Sequence, residues 1–111
     1  MIIHPEFHDL YKIGQAEHDA WRVRGTNFVI SDTGNGGDTA YCLVLEITGH
    51  ELYHAATLAE CYNELIKIFT EKDHLLSLSQ RSWRHLAMDE ATPDSIRRAC
   101  AQLWESRSTA L

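Results

Sequence analysis

The sequence predicts an α+β fold, an antiparallel sheet of three or four strands with helices packed on one face, in the order α-β-β-(β)-β-α-α-α. Two observations predict it. Runs rich in β-branched and aromatic residues, separated by Gly, Asn and Asp, fill the middle of the chain, and apolar residues at helical spacing fill the second half. A meandering sheet covered by helices buries both kinds of apolar face. The length of 111 residues fits a single domain over residues 1–111.

The first element is predicted to be a short helix that begins near Pro5 and ends at Gly14. Proline suits the first helical position, and Phe7, Leu10 and Tyr11 recur at spacings of three and four residues. Glycine commonly follows the last residue of a helix, so the pattern indicates a helix of about two turns.

Strands are predicted for the next part of the chain. Trp21–Arg24 alternates apolar and polar side chains, and Phe28–Ile30 continues the sheet. Asp32–Asp38 is rich in Gly, Asp and Asn, which is typical of a loop. Tyr41–Ile47 is apolar and β-branched enough for a central strand.

Three helices are predicted for the second half. The first begins at a capping box, with Thr57 as the N-cap and Glu60 three residues later, and ends near residue 72. The apolar spacing of residues 75–89 predicts a second helix. The last helix begins at residues 92–94, where a threonine serves as cap and an aspartate faces the positive end of the helix dipole.

Residues 50–54 read His-Glu-Leu-Tyr-His, which is the HExxH pattern. On a helix, this spacing places His50 and His54 on one face to bind zinc, while Glu51 activates a water molecule. One alternative function is therefore a small zinc-dependent hydrolase with these two histidines as ligands and Glu51 as the base. The sequence offers several candidates for a third ligand and selects none of them: Glu71, Asp73 and His74.

A β-hairpin is the favoured interpretation of the same residues. Thr48-Gly49 is good turn chemistry directly after a strongly β-like run, so residues 51–54 return as the partner strand. A helix extended back over these residues would place Glu51 and His54 on its core face, which is costly without a bound metal. The hairpin avoids that cost.

A regular strand points successive side chains to opposite sides of the sheet. On that basis Leu52 and His54 face one side, and Glu51 and Tyr53 face the other. The sequence therefore predicts no catalytic, metal or cofactor site in this segment. Cys42 with His54 across the hairpin is a weaker alternative, a nucleophile with its base, because nothing in the sequence determines their distance.

Charge and cysteine usage narrow the possible compartments and partners. The net charge of −6 is uneven, with −5 from residues 1–56 and −1 from residues 57–111. An acidic domain repels phosphate backbones, which disfavours direct binding of nucleic acid. The odd number of cysteines, three, predicts buried reduced thiols. The chain shows neither a membrane-length apolar run nor a signal peptide, so a cytoplasmic location is expected.

The leading functional hypothesis is a non-enzymatic domain that binds another protein. One form of it is a small acidic inhibitor that occupies a basic, nucleic-acid-binding site on its partner, as phage or plasmid anti-defence proteins do. A third alternative is a homo-oligomeric structural protein that pairs through a strand edge or a Trp patch. The residues expected to contact a partner are one aromatic and four acidic side chains: Trp21, Asp32, Asp38, Glu46 and Glu51.

Overall fold

The computed structural model describes residues 10–13 and 19–109. Its fold is α+β, as predicted. The described residues up to Glu64 form one compact unit, and those from Leu65 onward form a second. The expectation of a single domain remains a prediction. The first unit contains a five-stranded sheet with strands β1 Leu10–Ile13, β2 Ala20–Val23, β3 Phe28–Asp32, β4 Tyr41–Leu45 and β5 His50–Ala55.

The sheet is an antiparallel meander in which each strand pairs with the next along the chain. Its inner strands β2, β3 and β4 carry most of the buried side chains of the sheet. Phe28 and Ile30 in β3 and Leu43 and Leu45 in β4 are all inaccessible to solvent or nearly so. Apolar side chains on the middle strands therefore form the core of the first unit.

The structure corrects the prediction for the first element. Leu10–Ile13 form strand β1, which pairs with Ala20–Val23, and the remainder of the predicted helix lies outside the described residues. Leu10 is buried and Lys12 is exposed, which suits an edge strand. The backbone hydrogen bonds that β2 offers determine the conformation of this segment more strongly than the helical spacing of its few apolar residues. This strand raises the count above the three or four predicted.

The first helix, α1, spans Leu58–Thr70 and begins as predicted. The backbone N–H of Glu60 donates to the Thr57 hydroxyl at 3.1 Å, which satisfies a backbone donor at the helix start. The first turns of α1 belong to the first unit, where Cys61 is fully buried.

The second unit continues with a 3-10 helix over Lys72–Ser77, then α2 over Gln80–Met88 and α3 over Asp94–Thr109. The predicted helix over residues 75–89 is therefore divided in two. Ser79 causes the break, because its hydroxyl accepts from the backbone N–H of Ser82 and caps α2. Helix α3 lies where its Thr-Pro-Asp sequence predicted it.

Arginine side chains cover the tryptophans of the second unit. Arg84 lies over the ring of Trp104 and Arg107 over the ring of Trp83, at 5.6 and 5.9 Å. The Trp83 indole donates to the backbone carbonyl of Leu75 at 2.7 Å. These arginines are thus engaged with aromatic rings of their own unit. In the described part of the chain, no helix is both long enough and apolar enough to cross a membrane.

Candidate functional site

The β4–β5 hairpin holds the residues of the HExxH pattern. After β4, the chain turns through residues 46–49, and the backbone N–H of Gly49 donates to the Leu45 carbonyl at 2.8 Å. Gly49 has a φ of 73°, which glycine adopts without steric cost. His50–Ala55 then returns as β5. The predicted hairpin is confirmed, and residues 50–54 are not helical.

The register of the hairpin contains a β-bulge. Tyr53 lies opposite Leu43, whereas Glu51 lies opposite Val44, so Leu52 is the residue that the register skips. Residues directly opposite each other in a pair of strands point to the same side of the sheet. The extra residue therefore reverses the alternation along β5.

The bulge overturns the predicted distribution of side chains. Cys42 lies opposite His54, and Glu51 lies opposite Val44, which is two residues beyond Cys42 on β4. His54 and Glu51 thus share the Cys42 face, although a regular strand would separate them. The His54 Nε2 and Glu51 Oε1 atoms are 3.4 Å apart.

His50 does not join this group. It lies opposite Leu45, whose side chain points to the other side of the sheet from Cys42. The two histidines of HExxH therefore do not share a face, and the zinc hydrolase geometry, which requires a helix, is absent from residues 50–54. The pattern occurs here without the arrangement that gives it its usual chemistry.

Three different ligand types converge on the Cys42 face. The Cys42 thiol, a Glu51 carboxylate oxygen and a His54 ring nitrogen all lie within 4.8 Å of one another. Cys42 is buried, while the side chains of His54 and Glu51 are 39% and 61% exposed. The group is anchored on its thiol side and open to solvent on its carboxylate side.

The environment of Cys42 disfavours a nucleophilic role. Burial, with the negative charge of Glu51 as a second cause, raises the pKa of the Cys42 thiol from 9.0 to about 11. A reactive cysteine needs its pKa lowered, because the thiolate is the nucleophile. The pairing of Cys42 with His54 brings the predicted nucleophile and base together, but the thiol remains protonated near neutral pH.

The other two cysteines are also buried and reduced, as predicted. The pKa of Cys61 is raised to about 12 by burial, and further by the neighbouring Cys42 and two glutamates. A hydrogen bond with the backbone of Ala55 has the opposite, smaller effect and lowers it. Burial raises the pKa of Cys100 to about 11. All three thiols are therefore neutral near pH 7.

The expected partner-binding residues do not form one cluster. Asp32 pairs with Tyr41 at the start of β4, and Asp38 lies in the 3-10 turn over Gly37–Thr39, which precedes β4. Glu46 follows the opposite end of β4, where it pairs with the Arg22 guanidinium, and Glu51 lies nearby on β5. The acidic residues thus occupy the two ends of β4.

The fifth residue of that set, Trp21, is a core residue in the structure. It is 4% exposed, lies opposite Ile30 in the sheet, and has its ring centroid 6.2 Å from that of Tyr41. The exposed apolar residues of the hairpin are Ile47 and Tyr53, which are 71% and 36% exposed. The sequence analysis identified neither as an exposed residue. It also did not identify Cys42 as a ligand, because a cysteine within an apolar strand resembles an ordinary core residue.

Comparison of the chain with family models, with curated proteins and with solved structures finds no match.

Proposed function

We propose that this protein is a non-enzymatic domain that binds a basic segment of another protein along β5 and the turn that precedes it. The observation that carries the proposal is an edge strand whose exposed side chains combine negative charge with an aromatic ring. Glu51 and Tyr53 are both exposed on β5. The proposed occupant is a basic site on a nucleic-acid-binding protein, which the domain would block.

The charge distribution supports a basic partner. From Gly25 to Ile66 the chain contains no Lys or Arg. Its exposed or half-buried acidic residues in that stretch are Asp32, Asp38, Glu46, Glu51 and Glu60, of which Glu46 pairs with Arg22. Such a surface attracts cationic side chains and repels phosphates. Fields of this kind raise association rates and select partners more than they raise affinity. The partner is therefore expected to present arginines or lysines.

The position of β5 supports binding through the strand itself. In the described sheet, β5 stands at the end of the strand order, with β4 as its neighbour. The free side of an edge strand presents backbone N–H and C=O groups to which an extended segment can add. Ile47 and Tyr53 provide exposed apolar area beside these groups. The combination fits an extended basic segment with some apolar side chains.

The same charge argues against self-association through this edge. Two copies that paired along β5 would bring their glutamates close together, and like charges facing each other across strands are destabilising. A homo-oligomeric structural role therefore requires another surface. The hydrolase alternative requires the helix that residues 50–54 do not form.

Capture from a nuclease-treated lysate of the producing cell tests the proposal. The immobilised full chain is compared with a Glu46→Lys/Glu51→Lys variant and with a Glu71→Lys/Glu90→Lys control. Each variant replaces two exposed glutamates with lysines, so the two variants change the net charge equally. We expect a basic partner that is retained by the wild type and the control, lost from the hairpin variant, and weakened by added salt.

Capture that is equal for all three proteins would contradict the proposal, as would a lysate that yields no partner. Light scattering of the wild type over a range of concentrations supplies the other readout. A stable dimer that the hairpin variant abolishes would replace the basic partner with a second copy of the chain.

A further inference from the structure

We propose that Cys42, Glu51 and His54 bind a zinc ion on the face of the β4–β5 hairpin. This inference does not rest on the proposed function, since it concerns a metal and not a protein partner. It also differs from the zinc site that HExxH suggests, because it uses the Cys42 sulfur of β4 and excludes His50. Zinc displaces the thiol proton to solvent as the sulfur–zinc bond forms. Its basis is the convergence of three ligand atoms within 4.8 Å of one another.

The backbone holds two of the ligands in place. Cys42 and His54 are directly opposite each other on adjacent antiparallel strands, where Cα atoms are about 4.5–5.5 Å apart. Cys42 is 2% exposed and lies in β4, which has a strand on each side. The thiol is therefore a fixed point to which the more exposed ligands can adjust.

The spacing of the other two ligands already suits a tetrahedral ion. Zinc binds imidazole nitrogen at about 2.0–2.1 Å and carboxylate oxygen at about 2.0–2.2 Å, so tetrahedral geometry places these atoms roughly 3.3–3.5 Å apart. The His54 Nε2 and Glu51 Oε1 atoms are 3.4 Å apart. Binding requires the ion to enter beside this pair and a small side-chain movement to bring both atoms nearer the thiol.

The donor set selects the class of metal. Calcium and magnesium take oxygen ligands almost exclusively, so a thiol and an imidazole exclude them. Sulfur, nitrogen and oxygen donors together are typical of zinc, which commonly takes three protein ligands and leaves a fourth position to water. The exposure of Glu51 and His54 leaves room for that water. The structure thus supplies the three protein ligands of an open zinc site.

Cobalt titration of the reduced full chain, without a histidine tag, tests the site. A thiolate bound to Co²⁺ gives a charge-transfer absorption in the near ultraviolet, and zinc displaces the cobalt. We expect one Co²⁺ per chain, with the charge-transfer band lost in Cys42→Ser. We expect His54→Ala and Glu51→Gln each to weaken zinc binding at least tenfold in competition with a chelator.

Two matched variants serve as controls. His50→Ala removes the histidine on the opposite face of β5, and Cys100→Ser replaces a buried thiol that is not part of the group. Both should keep the band and the affinity. His54→Ala and Glu51→Gln change exposed side chains, so they test the site even if Cys42→Ser does not fold.

A wild-type protein that shows no thiolate-to-cobalt band would overturn the proposal. So would a His50→Ala variant that loses zinc as completely as His54→Ala, since that result would assign the metal to the HExxH histidines. Partner capture by His54→Ala separates the two proposals. This variant removes a metal ligand and no acidic charge, so it should lose zinc and still capture the basic partner.

Discussion

The β2–β3 and β4–β5 hairpins are both antiparallel pairs in one sheet, but they differ in register. In β2–β3 the pairing is regular from Ala20 opposite Ser31 to Arg22 opposite Val29. In β4–β5 the register shifts at Leu52. The regular pair carries core side chains such as Trp21, whereas the shifted pair gathers a thiol, a carboxylate and an imidazole on one face.

The difference shows how one extra residue can create a site. Along a regular strand, residues an odd number apart in sequence face opposite sides, so Glu51 and His54 would be separated. The bulge lets them share a face while Cys42 keeps its place in β4. A bulge is tolerated in β5 because an edge strand has to match one neighbour and not two.

The largest expected effect is on stability and distinguishes the two hairpins. Ile30→Ala in β3 removes a fully buried side chain opposite Trp21 and should lower the free energy of unfolding by about 2–5 kcal/mol. Leu52→Ala, at a half-buried bulge position, should cost about 1 kcal/mol. Urea denaturation measures both. Equal losses would show that the bulged edge is as integral to the fold as the centre of the sheet.

A second difference should appear at high pH. Burial, followed by the charge of Glu51, raises the pKa of Cys42 from 9.0 to about 11, so the unfolded chain loses this proton at a lower pH than the folded chain. The stability that the neutral thiol contributes is therefore present below pH 9.0 and lost as the pH rises toward about 11.

Urea midpoints measured on both sides of the ordinary thiol pKa test this expectation. The midpoint of the wild type should fall with rising pH, and Cys42→Ala should reduce the fall without removing it, because Cys61 and Cys100 also have raised pKa values. Val29→Ala, a buried change in the regular hairpin, should leave the fall unchanged. Identical pH profiles for the wild type and Cys42→Ala would contradict the assignment.

The smallest expected effect compares the turns of the two hairpins. Gly25 and Gly49 have φ values of 79° and 73°, and an added Cβ would meet no atom within 4 Å at either position. Alanine at either position should therefore cost about 1 kcal/mol through backbone strain alone. Gly36→Ala is the control, because Gly36 has open space and no positive φ. Thermal denaturation of the three variants measures these losses. A loss of stability in Gly36→Ala as large as in Gly25→Ala and Gly49→Ala would contradict this explanation.

Much of the second half followed from short-range sequence signals. The Thr57 and Glu60 capping box located the start of α1, and the Thr-Pro-Asp sequence located α3. Ser79 was not recognised as a cap, and α2 was predicted to begin too early. Such signals involve a few neighbouring residues, so they can be recognised wherever the competing local alternatives are weak.

The first half depended more on pairing between strands. Leu10–Ile13 has apolar spacing that suits a short helix, yet it is a strand because β2 offers it a partner. For the candidate site, the pattern at residues 50–54 drew attention to the correct segment. A metal was considered there only in the alternative zinc hydrolase with His50, His54 and Glu51, and Cys42 was not recognised as a ligand.

Local sequence was sufficient to show that HExxH lies in a hairpin, because Thr48-Gly49 follows a strongly β-like run and glycine accepts the positive φ that the turn requires. Tertiary structure alone decided which side chains of β5 meet. A face assignment depends on register, and register is set by the pairing of β5 with β4, which skips Leu52. That pairing brings Glu51 and His54 close to Cys42, which precedes them in the chain by nine and twelve positions.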